Sequence, residues 1–187
     1  MITGPSGAGK GTLERQLLAR RPDLELAVSA TTRPQRPGEQ DGLHYHFLPR
    51  ADFDRLIGEG GFLEWVSYVS GHRYGTLRRE IDRIQAKRKV PLLDLEIEGA
   101  RRVRDEVPGA VTIFVDAPLP ELERRLHERA TESSGEIGER IELARRQKQT
   151  AGEFDHVIEN DVLERALAEL GAIVQQRLDA AATMSPS

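Results

Sequence analysis

The chain has 187 residues, about one domain's length, and no cysteine, so a disulfide framework, a thiolate metal site and a thiol nucleophile are excluded. Its 31 acidic and 27 basic side chains leave a formal charge of -4, which argues against a broad basic face for duplex nucleic acid but allows a local basic pocket. A hydrophobic fraction of 38% with 17 glycines lies in the globular range, and neither a membrane-length apolar run nor a secretory leader pattern is present, so the expectation is a soluble cytoplasmic protein with no membrane or nucleic-acid partner.

Met1, Ile2 and Thr3 are the whole lead-in to a glycine-rich loop, short for a central strand. Either that strand is unusually short or the natural chain starts upstream. Leu13 and Leu17 then mark a one-sided helix, and Glu25–Ser29 reads as a strand. Between Thr31 and Tyr74 the sequence is turn-rich and aromatic-rich, with Pro34, Pro37, Gly38, Gly42 and Gly71, as for an insertion on a core. Leu77, Ile81 and Ile84 mark the next helix, Val90–Leu95 a strand, Ala100, Val103 and Val107 a helix, and Ala110–Val115 a strand. Pro120 opens a helix carrying Leu122 and Leu126, and the polar stretch Thr131–Gly138 reads as a flap between arginine-bearing helices. His156–Asn160 is a strand, Leu163, Leu167, Leu170 and Val174 a final helix, and Ala180–Ser187 a disordered tail. This alternation of strand and helix predicts an α/β fold with a parallel sheet and crossover helices.

The loop is Gly4-Pro5-Ser6-Gly7-Ala8-Gly9-Lys10-Gly11-Thr12, placed directly before a helix. Backbone N–H groups and the helix N-terminus can converge there on phosphate oxygens, with Lys10 adding a point charge. The strict phosphate-loop pattern places Ser or Thr immediately after the lysine; here Gly11 intervenes, so contact to magnesium falls to Thr12, directly or through water. His44 and His46 share a strand face at metal-compatible spacing, but no third ligand is near in sequence.

The segment Ser29-Ala30-Thr31-Thr32-Arg33-Pro34-Gln35-Arg36-Pro37-Gly38-Glu39, together with the loop, resembles the guanylate kinase family, the ATP-dependent kinases of GMP, and the resemblance covers about residues 1–178. It implies a P-loop NTPase-type parallel sheet flanked by helices, with a core of 1–28 and 77–178, a GMP-binding insertion of about 29–76, a small lid of about 130–139 and a disordered tail at 179–187. It also implies a magnesium cofactor, with ATP and GMP as substrates.

By the same resemblance, Arg33 and Arg36 hold the acceptor phosphate, and the proline between them is a stiff spacer for two guanidinium forks. Ser29, Tyr45, Glu64, Tyr74 and Thr76 fall where the family contacts GMP, and one carboxylate at Glu64 suits the N1–H and 2-amino donors of guanine. Asp94, at a strand end, matches an acidic residue near acceptor and magnesium, whereas Glu96 and Glu98 stand where the family usually has Asp and Gln, and Ala130 where it has Gly. Arg125, Arg129 and Arg140 match arginines that close over ATP, and Asn160 the residue beside adenine, although a strand-ending turn explains Asn160 equally well. Two rival readings are a non-catalytic interaction module of this family and a related sugar-phosphate kinase. Retention of Lys10, Arg129 and Arg140 weighs against the first, and Glu64 with the paired arginines against the second.

Overall fold

The computed structural model describes residues 1–68, 71–128 and 134–184. The chain divides into two compact units, one made of residues 1–21 with the chain from 111 onward, the other of residues 22–110.

In the first unit, β1 (Ile2–Thr3), β8 (Ile113–Asp116) and β9 (His156–Glu159) form a parallel sheet in the order β1-β8-β9. Ile113, Phe114 and Val115 are all buried, the pattern of a central parallel strand covered on both faces. Around the sheet lie α1 (Lys10–Arg20), α5 (Leu119–Glu128), α6 (Ser134–Lys148) and α7 (Leu163–Met184). Helix α1 buries Leu13 and Leu17, one turn apart, and packs on α7, which buries Leu167 and Leu170.

The second unit holds a parallel pair, β2 (Leu24–Leu26) with β7 (Val90–Leu92), and a four-stranded sheet in the order β4-β3-β6-β5. Those strands are β3 (Ala30–Thr31), β4 (His46–Phe47), β5 (Phe62–Ser67) and β6 (Arg73–Leu77). Its helices are α2 (Arg50–Gly58), α3 (Arg78–Ala86) and α4 (Ile97–Glu106). Ala30, Phe53, Phe62 and Leu77 make a local core in which the Phe53 and Phe62 rings stack at 4.3 Å, with Leu56, Ile57 and Trp65 packed around them. Complete burial of one such phenylalanine is worth about 1.5–3 kcal/mol toward the stability of this unit.

The fold class is the expected α/β, with local differences. Helix α2 lies inside the stretch that reads as turns; Phe53, Leu56 and Ile57 have helical spacing, and their burial outweighs the surrounding turn residues. Helix α6 begins at Ser134, inside the expected flap, while residues 129–133 lie outside the described residues. The last helix runs to Met184, beyond residue 178, through alanines that are strong helix formers. Among the described residues no helix is long and apolar enough to cross a membrane.

Candidate active site

In the first unit the site is the loop between β1 and α1. Gly9 caps α1 at φ 89°, a left-handed conformation that glycine adopts freely, and the amides of Thr12 and Leu13 both turn back to its carbonyl. At Gly4 any Cβ would overlap the Val115 carbonyl of β8, so the loop leaves the strand in a path only glycine allows. Lys10 Nζ donates to Gly4 O at 2.8 Å, spanning the loop it is expected to serve. Ser6 and Gly11 are exposed, whereas Pro5, Gly7 and Ala8 are buried.

Two side chains distant in sequence fix the loop's shape. Asn160, at the end of β9 and buried, donates its amide to Ala8 O at 2.7 Å. Arg125 of α5 donates to the carbonyls of Gly7 and Ala8 at 3.2 and 3.3 Å and is held from behind by Glu121 at 2.7 Å. Thr12 Oγ1 accepts from Arg15 at 3.2 Å in the first turn of α1. Arg140 lies exposed on α6, and Arg129 lies outside the described residues. Arg124 and Arg145 pair with surface glutamates Glu121, Glu128, Glu123 and Glu142.

In the second unit the four-stranded sheet gathers most of the acceptor candidates. Tyr74 and Thr76 are two apart on β6 and so share one face, and Glu64 of β5 stands directly opposite Thr76 in register. Glu64 is 6% exposed, and its Oε1 accepts from both the backbone N–H and the hydroxyl of Thr76 at 2.9 Å. Burial pushes the Glu64 carboxyl above the usual range; the Thr76 hydrogen bonds and the charge of Arg102 oppose the shift without cancelling it.

Arg33, buried beyond the end of β3, lies over the rings of Tyr45 at 5.4 Å and Phe47 at 5.6 Å, and the ring of Tyr74 meets Tyr45 edge-on at 5.9 Å. Its guanidinium also closes end-on on Glu39, with Nη1 and Nη2 at 3.0 and 2.7 Å from the two carboxylate oxygens. Arg36 is exposed, so the two arginines are presented differently, one set in the fold and one at the surface. Burial raises the Tyr45 phenol, and the neighbouring Tyr74 and Asp94 raise it further. Asp94 is exposed just past β7; Ser29 O accepts from His46 N at 2.9 Å, tying β4 to the chain before β3.

Two further residues belong to this site by position. Glu39 is reached through the sequence Arg36-Pro37-Gly38-Glu39, in which the Glu39 N–H returns to Arg36 O at 3.1 Å; an acid placed after a Pro-Gly turn was the available signal. Tyr68, 37% exposed, packs edge-on against Tyr74 at 5.0 Å, and its partial burial, followed by the charge of Glu96, raises its phenol. Nothing local in the sequence couples Tyr68 to Glu96. His44 accepts from Gln40 N through Nδ1, and His46 lies 3.2 Å from Glu80, so the two histidines serve different neighbours. Among the described residues no cluster of three or more metal-ligating side chains occurs.

Comparison with known proteins gives a consistent family. A sequence model of the family described as guanylate kinase matches residues 1–177. The guanylate kinase of Synechococcus sp. (strain JA-3-3Ab) is 47% identical over 93% of this chain and 80% of its own length. That of Symbiobacterium thermophilum is 44% identical over 93% of this chain and 82% of its own. The crystal structure of guanylate kinase from Anaplasma phagocytophilum superimposes with a TM-score of 0.75 at 26% identity, covering 94% of this chain and 82% of that one. With a phosphate loop in one unit and an arginine, tyrosine and glutamate constellation in the other, the chain belongs to the guanylate kinase family, the ATP:GMP phosphotransferases.

Proposed function

We propose that residues 4–12 hold the phosphates of ATP, with Asn160 and Arg125 shaping the loop, and that the 29–76 segment binds GMP. Arg33, Arg36, Tyr45 and Tyr74 take the acceptor phosphate, Glu64 and Thr76 the guanine edge, and Ser29 and Asp94 border them. The observation that carries the reading is the common face of β5 and β6, on which Tyr74, Thr76 and Glu64 follow one another. Because Glu64 Oε1 already accepts twice from Thr76, Oε2 is the principal acceptor left for the base.

The chemistry is direct transfer of the γ-phosphoryl group to a GMP phosphate oxygen. One P–O bond forms to the acceptor as the bond to the ADP oxygen breaks, and no covalent enzyme intermediate intervenes. The acceptor phosphate is ionised near neutral pH, so no side chain need act as base. Positioning and charge neutralisation remain for the protein: Lys10 follows the moving group, and the assignment of Arg129 and Arg140 to the same charge rests on their place in the motif. Magnesium suits the donor set, since Thr12 offers one hydroxyl beside the loop, and this ion keeps its waters and takes nucleotide oxygens rather than demanding a protein cage. Bound with ATP, it would supply charge neutralisation to the phosphates, with Thr12 as the residue of this chain that would hold it.

The reading is tested by offering the purified chain ATP and magnesium with GMP, dGMP, AMP, UMP or no acceptor. ADP is expected to form with GMP and very little without acceptor. Equal ADP production in both conditions overturns the assignment, as does a preference for AMP.

A further inference from the structure

The Glu64 carboxylate occupies space that only a glycine leaves open. Gly99, buried in the first turn of α4, faces it: a Cβ at residue 99 would stand 2.6 Å from Glu64 Oε2 and 3.1 Å from its Cδ. The obstacle is the far end of a side chain, so a methyl group there displaces the carboxylate rather than the backbone. Gly75 on β6 differs, because a Cβ would stand 2.6 Å from the Glu64 carbonyl oxygen and 2.8 Å from Trp65 Cβ.

Helix stability does not explain glycine at 99, since alanine is favoured in helices by about 1 kcal/mol. The same face of α4 reaches β5 again one turn later. Arg102 donates to the Trp65 carbonyl, lies over the Trp65 ring at 5.7 Å, and lends its charge to Glu64. Thr76 fixes Oε1 from the sheet, and α4 bounds Oε2 from the other side.

We infer that Gly99 determines acceptor-base specificity by acting through Glu64: it is a positioning residue that lets the carboxylate sit where both guanine donors can reach it. The inference rests on the reading of Glu64 as the guanine-binding group. Moving a carboxylate by an ångström or more from paired donors removes hydrogen bonds that GMP supplies and AMP does not.

The test is a cycle of Gly99→Ala, Glu64→Asp and the double variant, with Glu64→Gln as control, measuring kcat and KM for GMP and AMP and KM for ATP. Gly99→Ala is expected to raise the KM for GMP tenfold or more, narrow the GMP to AMP ratio, and leave the KM for ATP unchanged. Glu64→Asp, one methylene shorter, is expected to lower GMP use when Gly99 is present but to raise it in the Gly99→Ala background, a reversal a merely structural role would not produce. An unchanged ratio in Gly99→Ala while Glu64→Gln narrows it overturns the inference alone; an unchanged ratio in Glu64→Gln overturns the reading of Glu64 and this inference with it. If Gly99→Ala lowers the melting temperature, the Glu64→Ala background decides. With the carboxylate gone the substitution is expected to stabilise, and a fall there too overturns the inference.

Discussion

The Arg33 guanidinium is already engaged end-on by Glu39, at 2.7 and 3.0 Å, and the same carboxylate accepts the Arg36 backbone N–H at 2.7 Å. These contacts hold Glu39 down to about 2, with the Arg33 hydrogen bonds as the larger cause and the Arg36 N–H next, so it is ionised throughout the neutral range. On the proposed reading, an Arg33 fork spent on Glu39 would meet the acceptor phosphate through its remaining N–H groups, in an orientation Glu39 sets. Glu39→Gln turns one acceptor into a donor facing arginine, and is expected to raise the KM for GMP about tenfold with kcat and the KM for ATP nearly unchanged. Tighter GMP binding in steady-state kinetics would mean that Glu39 competes with the phosphate.

Lys10 rests on the Gly4 carbonyl at 2.8 Å, a contact a methionine cannot make but whose loss strands no buried charge. Lys10→Met is therefore expected to keep the melting temperature and lower kcat by about two orders of magnitude or more, since one transition-state charge contact is worth a few kcal/mol. Single-turnover measurement at saturating ATP and GMP checks it, and an unchanged rate removes Lys10 from the chemistry.

For Glu64→Gln, the amide retains one acceptor and gains a donor that opposes the guanine N1–H. GMP use is expected to fall by about 10² in kcat/KM, with the GMP to AMP ratio narrowed. Both acceptors are assayed in wild type and variant, alongside a thermal melt to establish that the variant is folded.

Glu25 gives the chain a pH-dependent element. Lys87 bonds it at 2.9 Å, Arg83 bonds it as well and Lys89 lies 3.4 Å away, and these contacts hold its carboxyl down to about 2 from an ordinary 4.5. A carboxylate depressed in the folded state stabilises it above pH 4.5, and the stabilisation fades as pH falls toward 2. The cationic partners are substantially solvent-exposed, so screening reduces the gain to about 1 kcal/mol. Glu25→Gln should melt about 2–4 °C below wild type at pH 7, with the gap shrinking steadily below pH 4.5. A gap that stays constant down to pH 3 would show that Glu25 acts by packing.

The helices were legible wherever apolar residues repeat at three and four: Leu13 with Leu17, Leu122 with Leu126, and Ala100 with Val103 each face a core in the structure. Strand ends were less so: the strand-like stretches 25–29 and 90–95 pair only over Leu24–Leu26 and Val90–Leu92, because pairing length is set by the partner strand and not by the run of apolar residues. The family resemblance, supported by their residue types, pointed to Glu64 and Thr76 before their register was known. Tyr68 and Gly99 did not stand out, because a tyrosine packed against Tyr74 and a missing Cβ acquire meaning only once β5, β6 and α4 are placed, whereas Glu39 carried a local signal in the Pro-Gly turn before it.

The ties from Asn160 and Arg125 to the loop carbonyls of Gly7 and Ala8 are made by residues 117 to 152 positions away. Loop conformational entropy surrendered to these ties at folding is not lost again at binding, so on the proposed reading a triphosphate would lose little affinity to ordering the loop. Evolution can then retune nucleotide affinity from β9 or α5, by loosening or tightening this anchorage, without altering any atom that the phosphates touch.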